Sequence, residues 1–205
     1  MLNKHPKSAF ALRQPQLLLI ADTYYPKVDG TLKFIEEFLK RAETEFEVSL
    51  LVPFLGMEKG HRVTYFEVCK HFQASGYPSI KPSLANLSLI KEKIKETDIV
   101  FIQGPAMASF LGIYYGHKYH KPTLLYTHTI IWELFEKFAP KIIRRLFFRI
   151  LKWGSIQIYN RCTEILVPYH ELKNQLEKEG ITAPISVARL GVDIDKFSPT
   201  KDKTL

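Results

Sequence analysis

The stretch from Gln16 to Thr31, QLLLIADTYYPKVDGT, constrains the fold more than any other part of the chain. Leu17 to Ile20 form a short, uninterrupted apolar run, the pattern of a strand buried on both faces. Asp22, two tyrosines, Pro26 and a Val-Asp-Gly turn follow. From there Leu32, Ile35, Phe38, Leu39 and Ala42 recur at helical spacing, with Lys33, Glu36, Glu37 and Lys40 on the opposite face. A strand, a loop and a helix N-terminus in direct succession form the unit of an open parallel sheet. In such sheets ligands bind at the carboxyl ends of the strands, and a helix N-terminus suits phosphate. Gly30 lacks a Cβ, so two readings stay open at this point. The backbone there approaches a ligand or takes positive φ, or Gly30 only makes the turn while Asp29 only caps the helix.

The same unit recurs along the chain. FEVSLLVP, residues 46–53, reads as a second strand, and Val63 to Val68 as a short third. Pro78 and Pro82 mark GYPSIKPS as punctuation, and Ser83 is placed to cap a helix carrying Leu84, Leu87, Ile90 and Ile94 on one side. IVFIQG is a fourth buried strand, and Gly104-Pro105 opens a helix to about Tyr119. TLLYTHT, residues 123–129, is a fifth strand with a histidine at its end. A long basic helix starts near Pro140. The strand EILVP, a helix from His170 to Glu179 stopped by Gly180, and the strand ISVARLGVD complete the series. Strands alternating with helices imply right-handed crossovers and an α/β, doubly wound, mainly parallel, Rossmann-like sheet.

A chain of 205 residues with 46% hydrophobic and 13% aromatic residues has enough apolar material for one globular core. Its formal charge of +8 points to an anionic partner: a phosphorylated small molecule, an anionic membrane surface or a nucleic acid. Much of that charge lies in KIIRRLFFRILKW, residues 141–153. At helical spacing Lys141, Arg144, Arg145, Arg149 and Lys152 share a stripe that includes Phe148, while Ile142, Ile143, Leu146, Phe147, Ile150 and Leu151 occupy the remaining surface. A basic stripe with an interleaved aromatic suits an anionic lipid surface, where each Lys or Arg contributes on the order of 1 kcal/mol. The same pattern also suits the solvated face of an ordinary packed helix. No recognition module accompanies it, so nucleic acid is not the expected partner.

Cys69 and Cys162 are far apart and read as free thiols of a reducing compartment. The first twenty residues lack the apolar core of a secretory signal, and no apolar run reaches membrane-spanning length. A cytoplasmic protein, peripheral on the cytoplasmic membrane face, is expected. His117 and His120 have a spacing that can ligate metal, but no Cys or carboxylate cluster accompanies them. They read as cations at a helix C-terminus, and no metal site is expected. The chain has no GxGxxG and no Walker-type loop, which argues against dehydrogenase and P-loop chemistry.

Taken in order, DTYYPKVDGT, DIVFIQGP, YTHT, ILVPY and LGVDIDKFSP resemble the amino-terminal domain of family-four retaining glycosyltransferases of the two-Rossmann-domain, GT-B type. GYPSIKPS is similar to the branch that includes sulfoquinovosyl and mannosyl transferases acting on lipids. The resemblance covers about Leu17 to Pro199. It implies an extension over residues 1–15, a Rossmann-like acceptor-side domain over 16–199, and the start of a linker at 200–205. The linker would lead to a carboxyl-terminal domain that binds most of the nucleotide sugar, so the isolated domain is expected to be inactive.

The resemblance also implies roles. Lys27, Asp29, Gly30 and Thr31 match the loop lying against the donor diphosphate or the acceptor, where N–H donors or positive charge would meet a departing nucleoside diphosphate. His128 matches the family histidine near the transferred sugar, the expected catalytic residue, and an imidazole there can hydrogen-bond a hydroxyl group. Tyr24, Tyr25, Gln103 and Gly104 are the expected acceptor contacts. No cofactor is implied beyond the nucleotide sugar as co-substrate, and no obligatory metal. The sequence departs from the family at Phe101 or Gln103, where many relatives carry histidine, at Tyr169, where serine or alanine is common, and at Leu190, often asparagine. These departures bear on substrate choice more than on fold. Three functions fit the residues: the acceptor-side domain of a hexosyltransferase with a lipid or lipid-linked acceptor, a non-catalytic membrane-binding module, or a Rossmann-like protein for a phosphorylated ligand.

Overall fold

The apolar run after Gln16 forms strand β1 (Gln16–Ala21), and Leu17 to Ala21 are all buried. A computed structural model of the chain describes residues 13–74, 77–104, 106–138 and 141–189. The chain continues through α1 (Gly30–Ala42), β2 (Glu47–Pro53), β3 (Val63–Phe66), β4 (Val68–Ala74), β5 (Tyr77–Ile80), α2 (Leu84–Glu96), β6 (Ile99–Gln103) and α3 (Met107–Lys118). It ends with β7 (Thr123–Tyr126), α4 (Ile131–Phe138), α5 (Lys141–Tyr159), β8 (Glu164–Val167), α6 (His170–Lys178) and β9 (Ile185–Val187).

Seven strands form one parallel sheet in the order β3-β2-β1-β6-β7-β8-β9. Central β1 pairs with β2 and β6 at once, Leu19 lying opposite Leu50 on one side and Phe101 on the other. Its side chains alternate between two cores. Leu17, Leu19 and Ala21 pack with Leu32 and Ile35 of α1, whereas Leu18 and Ile20 pack with Ile90 and Ile94 of α2 and Ile113 of α3. The strand order reverses between β1 and β6, so this Rossmann-like α/β sheet is doubly wound with its switch point at the end of β1.

Local signals hold at several ends. Asp29 caps α1 and Ser83 caps α2, each accepting a backbone N–H with its side chain. Other expectations need correction. Tyr77–Ile80 is a strand, not punctuation; it pairs antiparallel with β4 in a separate two-stranded sheet. Pro78 is accommodated there because a two-stranded ribbon has open edges that need no further donor. Leu84 is exposed at the start of α2, and the buried position of that turn belongs to Asn86. Its side chain bonds the Glu67 N–H and the Glu67 and Lys81 carbonyls, tying α2 to the hairpin. α4 precedes the basic helix. Strand β7 stops at Tyr126, which leaves His128 in the loop beyond it. Residues 1–12 of the extension expected over 1–15, Pro105, and the segment from Leu190 to the end lie outside the described residues. Among the described residues no helix is long and apolar enough to cross a membrane.

α3 lies unusually close to the sheet, and glycine is the reason. A Cβ on Gly112 would fall 2.8 Å from Ile20 Cδ1, and one on Gly116 would run into Thr123 Oγ1. Thr123 cannot yield readily: it is fully buried, its hydroxyl bonds the Lys121 carbonyl at 2.9 Å and its N–H bonds Thr163 Oγ1 at 2.9 Å. Gly154 in α5, by contrast, has open space around its Cβ position. Gly116→Ala should therefore destabilise the protein by about 1–3 kcal/mol despite its better helix propensity. Gly154→Ala should stabilise it by roughly 0.5–1 kcal/mol. Urea denaturation of both variants checks this, and equal signs would contradict the close approach of α3.

Candidate functional site

The loop from β1 to α1 is built by local bonds. Asp29 Oδ1 accepts the Leu32 N–H at 2.9 Å, its other oxygen lies 3.9 Å from Lys27 Nζ, and Gly30 begins the helix. Gly30 is not among the glycines with positive φ, and a Cβ there would meet nothing within 4 Å. The turn therefore does not require glycine, and the space over Gly30 is open. Thr31 beside it is half-buried.

The tyrosines expected at the acceptor brace this loop instead. Tyr24 is buried and its hydroxyl donates to the Lys59 carbonyl at 3.0 Å. Tyr25 is bonded through its hydroxyl to Glu36 of α1, with Lys59 Nζ 3.6 Å from its ring centroid. Together they tie the β2–β3 loop and α1 to the end of β1. Both hydroxyls are engaged within the protein.

At the end of β6, Gln103 and its register partner Tyr126 on β7 are both buried. Gln103 Oε1 and the Tyr126 hydroxyl have no hydrogen-bond partner among the described residues. Both lie on the α1 side, where the Tyr126 ring stacks on Phe34 at 4.7 Å. A buried polar atom left unpaired costs about 1–3 kcal/mol, and the fold itself supplies no compensation here. Next to them Gly104 has φ +107, a conformation that favours glycine, and a Cβ there would lie 3.4 Å from Asp22 Oδ2.

Asp22 is a functional-site feature that sequence reasoning passed over. From the end of β1 its Oδ2 accepts the Ala106 N–H at 3.2 Å and the Ser109 hydroxyl at 2.8 Å. It thus caps α3, whose own N-cap residue is an alanine. Withdrawal from solvent pushes its pKa up to about 6, with the Ser109 and backbone bonds opposing the rise. The signal was a carboxylate directly after a doubly buried strand, at the switch point of the sheet.

His128 stands one strand further on, exposed in the loop after β7. Buried Thr127 holds that loop, its hydroxyl donating to the Thr129 carbonyl at 2.7 Å. Partial desolvation lowers the His128 pKa, and the negative charge of Asp29 acts against that shift. The imidazole is therefore neutral at neutral pH, with one nitrogen to donate and one to accept. Asp29, Gly30, Gln103, Gly104 and His128 are thus carried on the carboxyl ends of the adjacent strands β1, β6 and β7.

The basic helix is placed elsewhere, on the flank, packed against α3 and α4. Its expected contact stripe is corrected. Phe148 is half-buried against the core, on the same side as Ser155 and Tyr159, and Lys152 is ion-paired with Glu179. Lys141 and Arg149 are exposed; the side chains of Arg144 and Arg145 lie outside the described residues. The large side chains that face solvent are Phe147, Ile150 and Trp153.

Two concavities, of about 400 and 330 Å³, open at the opposite, amino edge of the sheet. One is lined by Gln16, Glu47, Arg62 and Lys93, the other by His117, His120, Lys121 and Arg161. The second gathers cations where α3 and α5 end, a place where helix carbonyls favour them. Of the buried polar side-chain atoms without a partner among the described residues, those of Thr23, Gln103 and Tyr126 are at the carboxyl edge, together with Gly30 and the neutral imidazole, while Ser155 and Tyr159 lie in α5; the candidate site is assigned to the carboxyl edge.

Asp22 gives the site a pH signature. Its folded pKa is above the ordinary 3.8, so the native state holds a proton that the unfolded chain has lost between about pH 4 and 6. The neutral carboxyl stabilises fully below that window, and the benefit, on the order of 3 kcal/mol, disappears as pH rises through 6. Asp22→Asn should flatten this part of the stability–pH curve. Identical slopes for the two proteins in urea melts from pH 4 to 7 would show that Asp22 is not desolvated.

Comparison with known proteins bears on the fold and the family. A search among curated proteins gave no match. Among solved structures, an alpha-glucosyltransferase in complex with UDP and a 13-mer DNA containing a HMU base superposes with a TM-score of 0.50 at 18% identity, covering 89% of this chain and 44% of that one. Apo UGT2 of Phytolacca americana gives 0.49 at 12% identity, over 87% of this chain and 52% of that one. The chain therefore spans about half the length of these two structures. At such identities the likeness is one of fold. The sequence itself matches a family description over residues 28–196, more than half of its length, and on that ground the chain belongs to Glycosyltransferase Family 4.

Proposed function

We propose that this chain is the acceptor-binding, amino-terminal half of a retaining hexosyltransferase that uses a nucleotide sugar and no obligatory metal. One observation carries the reading. Gly30 under open space, the buried and unpaired polar atoms of Gln103 and Tyr126, and the neutral His128 imidazole all lie at the ends of three adjacent strands beside the switch point. Residues 16–199 are taken as the acceptor-side domain and 200–205 as the start of a linker to a donor-binding domain.

In this reading His128 contributes hydrogen bonds. Its neutral ring accepts from or donates to a hydroxyl group of the transferred sugar, and the nearby Asp29 charge stabilises any positive charge that develops on the ring. Gln103 Oε1 and the Tyr126 hydroxyl, left unpaired by the fold, are paired by hydroxyl groups of the acceptor. Gly30 permits close approach of the sugar or diphosphate. α5, with five basic residues and no carboxylate, supports an acceptor that is a lipid or lipid-linked molecule at an anionic cytoplasmic membrane surface.

In the full-length protein, His128→Ala should lower kcat on the order of 10²-fold. Gly30→Ala separates ligand approach from turn-making, because the structure has room for the methyl group. It should leave stability unchanged or raise it by up to about 1 kcal/mol while lowering kcat/KM. NMR of the product should show the anomeric configuration of the donor retained. Wild-type turnover in both variants, or inversion, would refute the proposal.

A further inference from the structure

We infer that the solvent face of α5 is an interfacial insertion surface, in which Phe147, Ile150 and Trp153 enter the headgroup region of an anionic bilayer and Arg149, on the flank of that face, holds a lipid phosphate. The inference rests on the reading of the protein as membrane-associated, but it assigns the contact to side chains that a basic stripe does not contain. Phe147 is 52% exposed, Ile150 65% and Trp153 66%, and their spacing of three places them along one side of the helix. These three large apolar side chains stay more than half exposed on one outer face of the described residues, and such patches mark interaction surfaces.

The occupant follows from charge. α5 reads KIIRRLFFRILKWGSIQIY, with five cations and no Asp or Glu over its 19 residues. A second copy docked on this face would bring like charges together, so self-association is opposed. A partner must offer negative charge and apolar volume at the same place. The interface of an anionic bilayer does so: its phosphates lie just outside the ester carbonyls where the acyl chains begin, the depth at which tryptophan partitions readily. Arg149 is exposed one turn before Trp153, on the flank of the apolar face, whereas Lys141 falls on the side of the helix that carries Tyr159 and takes no part. Lys152 takes no part, since Glu179 already pairs its ammonium group, and Phe148 faces the core.

The two tryptophans give the test its readout. Trp132 is only 2% exposed and serves as a constant reference, whereas Trp153 reports on the surface. The 205-residue chain is mixed with vesicles of equal parts phosphatidylglycerol and phosphatidylcholine, or of phosphatidylcholine alone, at low and moderate salt. The expected result is co-sedimentation with the anionic vesicles and a blue shift of the emission, absent in Trp153→Phe, with quenching by brominated acyl chains. Phe147→Ser, Ile150→Ser and Trp153→Ser together should reduce partitioning at least about tenfold at both salt concentrations. Arg149→Gln should reduce it at low salt only, because the charge contribution is screened. Trp132 emission and circular dichroism confirm that the variants are folded. Binding that survives the triple substitution, with Trp153 emission unshifted, overturns the insertion surface while leaving charge-driven membrane association standing. No binding to anionic vesicles at low salt overturns both. Binding as expected, in a full-length protein that glycosylates a soluble acceptor, upholds the insertion surface and refutes only the lipid acceptor.

Discussion

Burial of β1 on both faces is the constraint from which the architecture follows. A strand with Leu17, Leu19 and Ala21 on one side and Leu18 and Ile20 on the other needs a helical layer above and below. Its two neighbours, β2 and β6, are both parallel to it, so each connection must cross over a sheet face, and crossovers of one hand send the chain in opposite directions from the centre. The loops after β1, β6 and β7 then open at one edge, whatever their sequences. Chemistry located there needs no further device to bring it together, and Gly112 and Gly116 let α3 sit close enough to fix that edge in position.

The electrostatics of the edge sort its helices. Two helix N-termini flank the switch point, and the protein answers both with its own carboxylates: Asp29 on α1 and Asp22 on α3. Helix N-termini in such sheets commonly receive phosphate, and here that capacity is already taken by carboxylates. What this edge presents is therefore chiefly uncharged: a neutral imidazole and an open glycine at the surface, with a glutamine oxygen and a tyrosine hydroxyl buried at the adjoining strand ends. That profile suits hydroxyl groups better than a diphosphate.

Much of this was legible in the sequence, because the relevant signals are local. Apolar runs marked the sheet, Asp29 and Ser83 marked helix starts, and the order of strand-end motifs pointed to the family. What was not legible depends on distant contacts. The β4–β5 ribbon was hidden because prolines at 78 and 82 read as breakers, although an isolated two-stranded sheet tolerates them. Asp22 looked like part of a turn until α3 was placed against it, and Tyr126 was one residue of the fifth strand, whose unpaired hydroxyl only the packed fold reveals. In α5, spacing alone assigned the basic stripe to solvent. The helix in fact buries the side with Phe148, Ser155 and Tyr159, so the aromatic exposed to solvent is Trp153 rather than Phe148.

The central claim is that ligand binds the carboxyl edge at the switch point and not the concavities at the amino edge. Amide chemical-shift mapping of the labelled chain, titrated to millimolar UDP-glucose and then a simple hexoside acceptor, tests it most directly. The account predicts that the signals of Val28 to Thr31, Gly104 and Thr127 to Thr129 move together, with weak affinity for the nucleotide sugar. Shifts confined to the residues around Glu47 and Arg62, or around His117, His120 and Arg161, would contradict it.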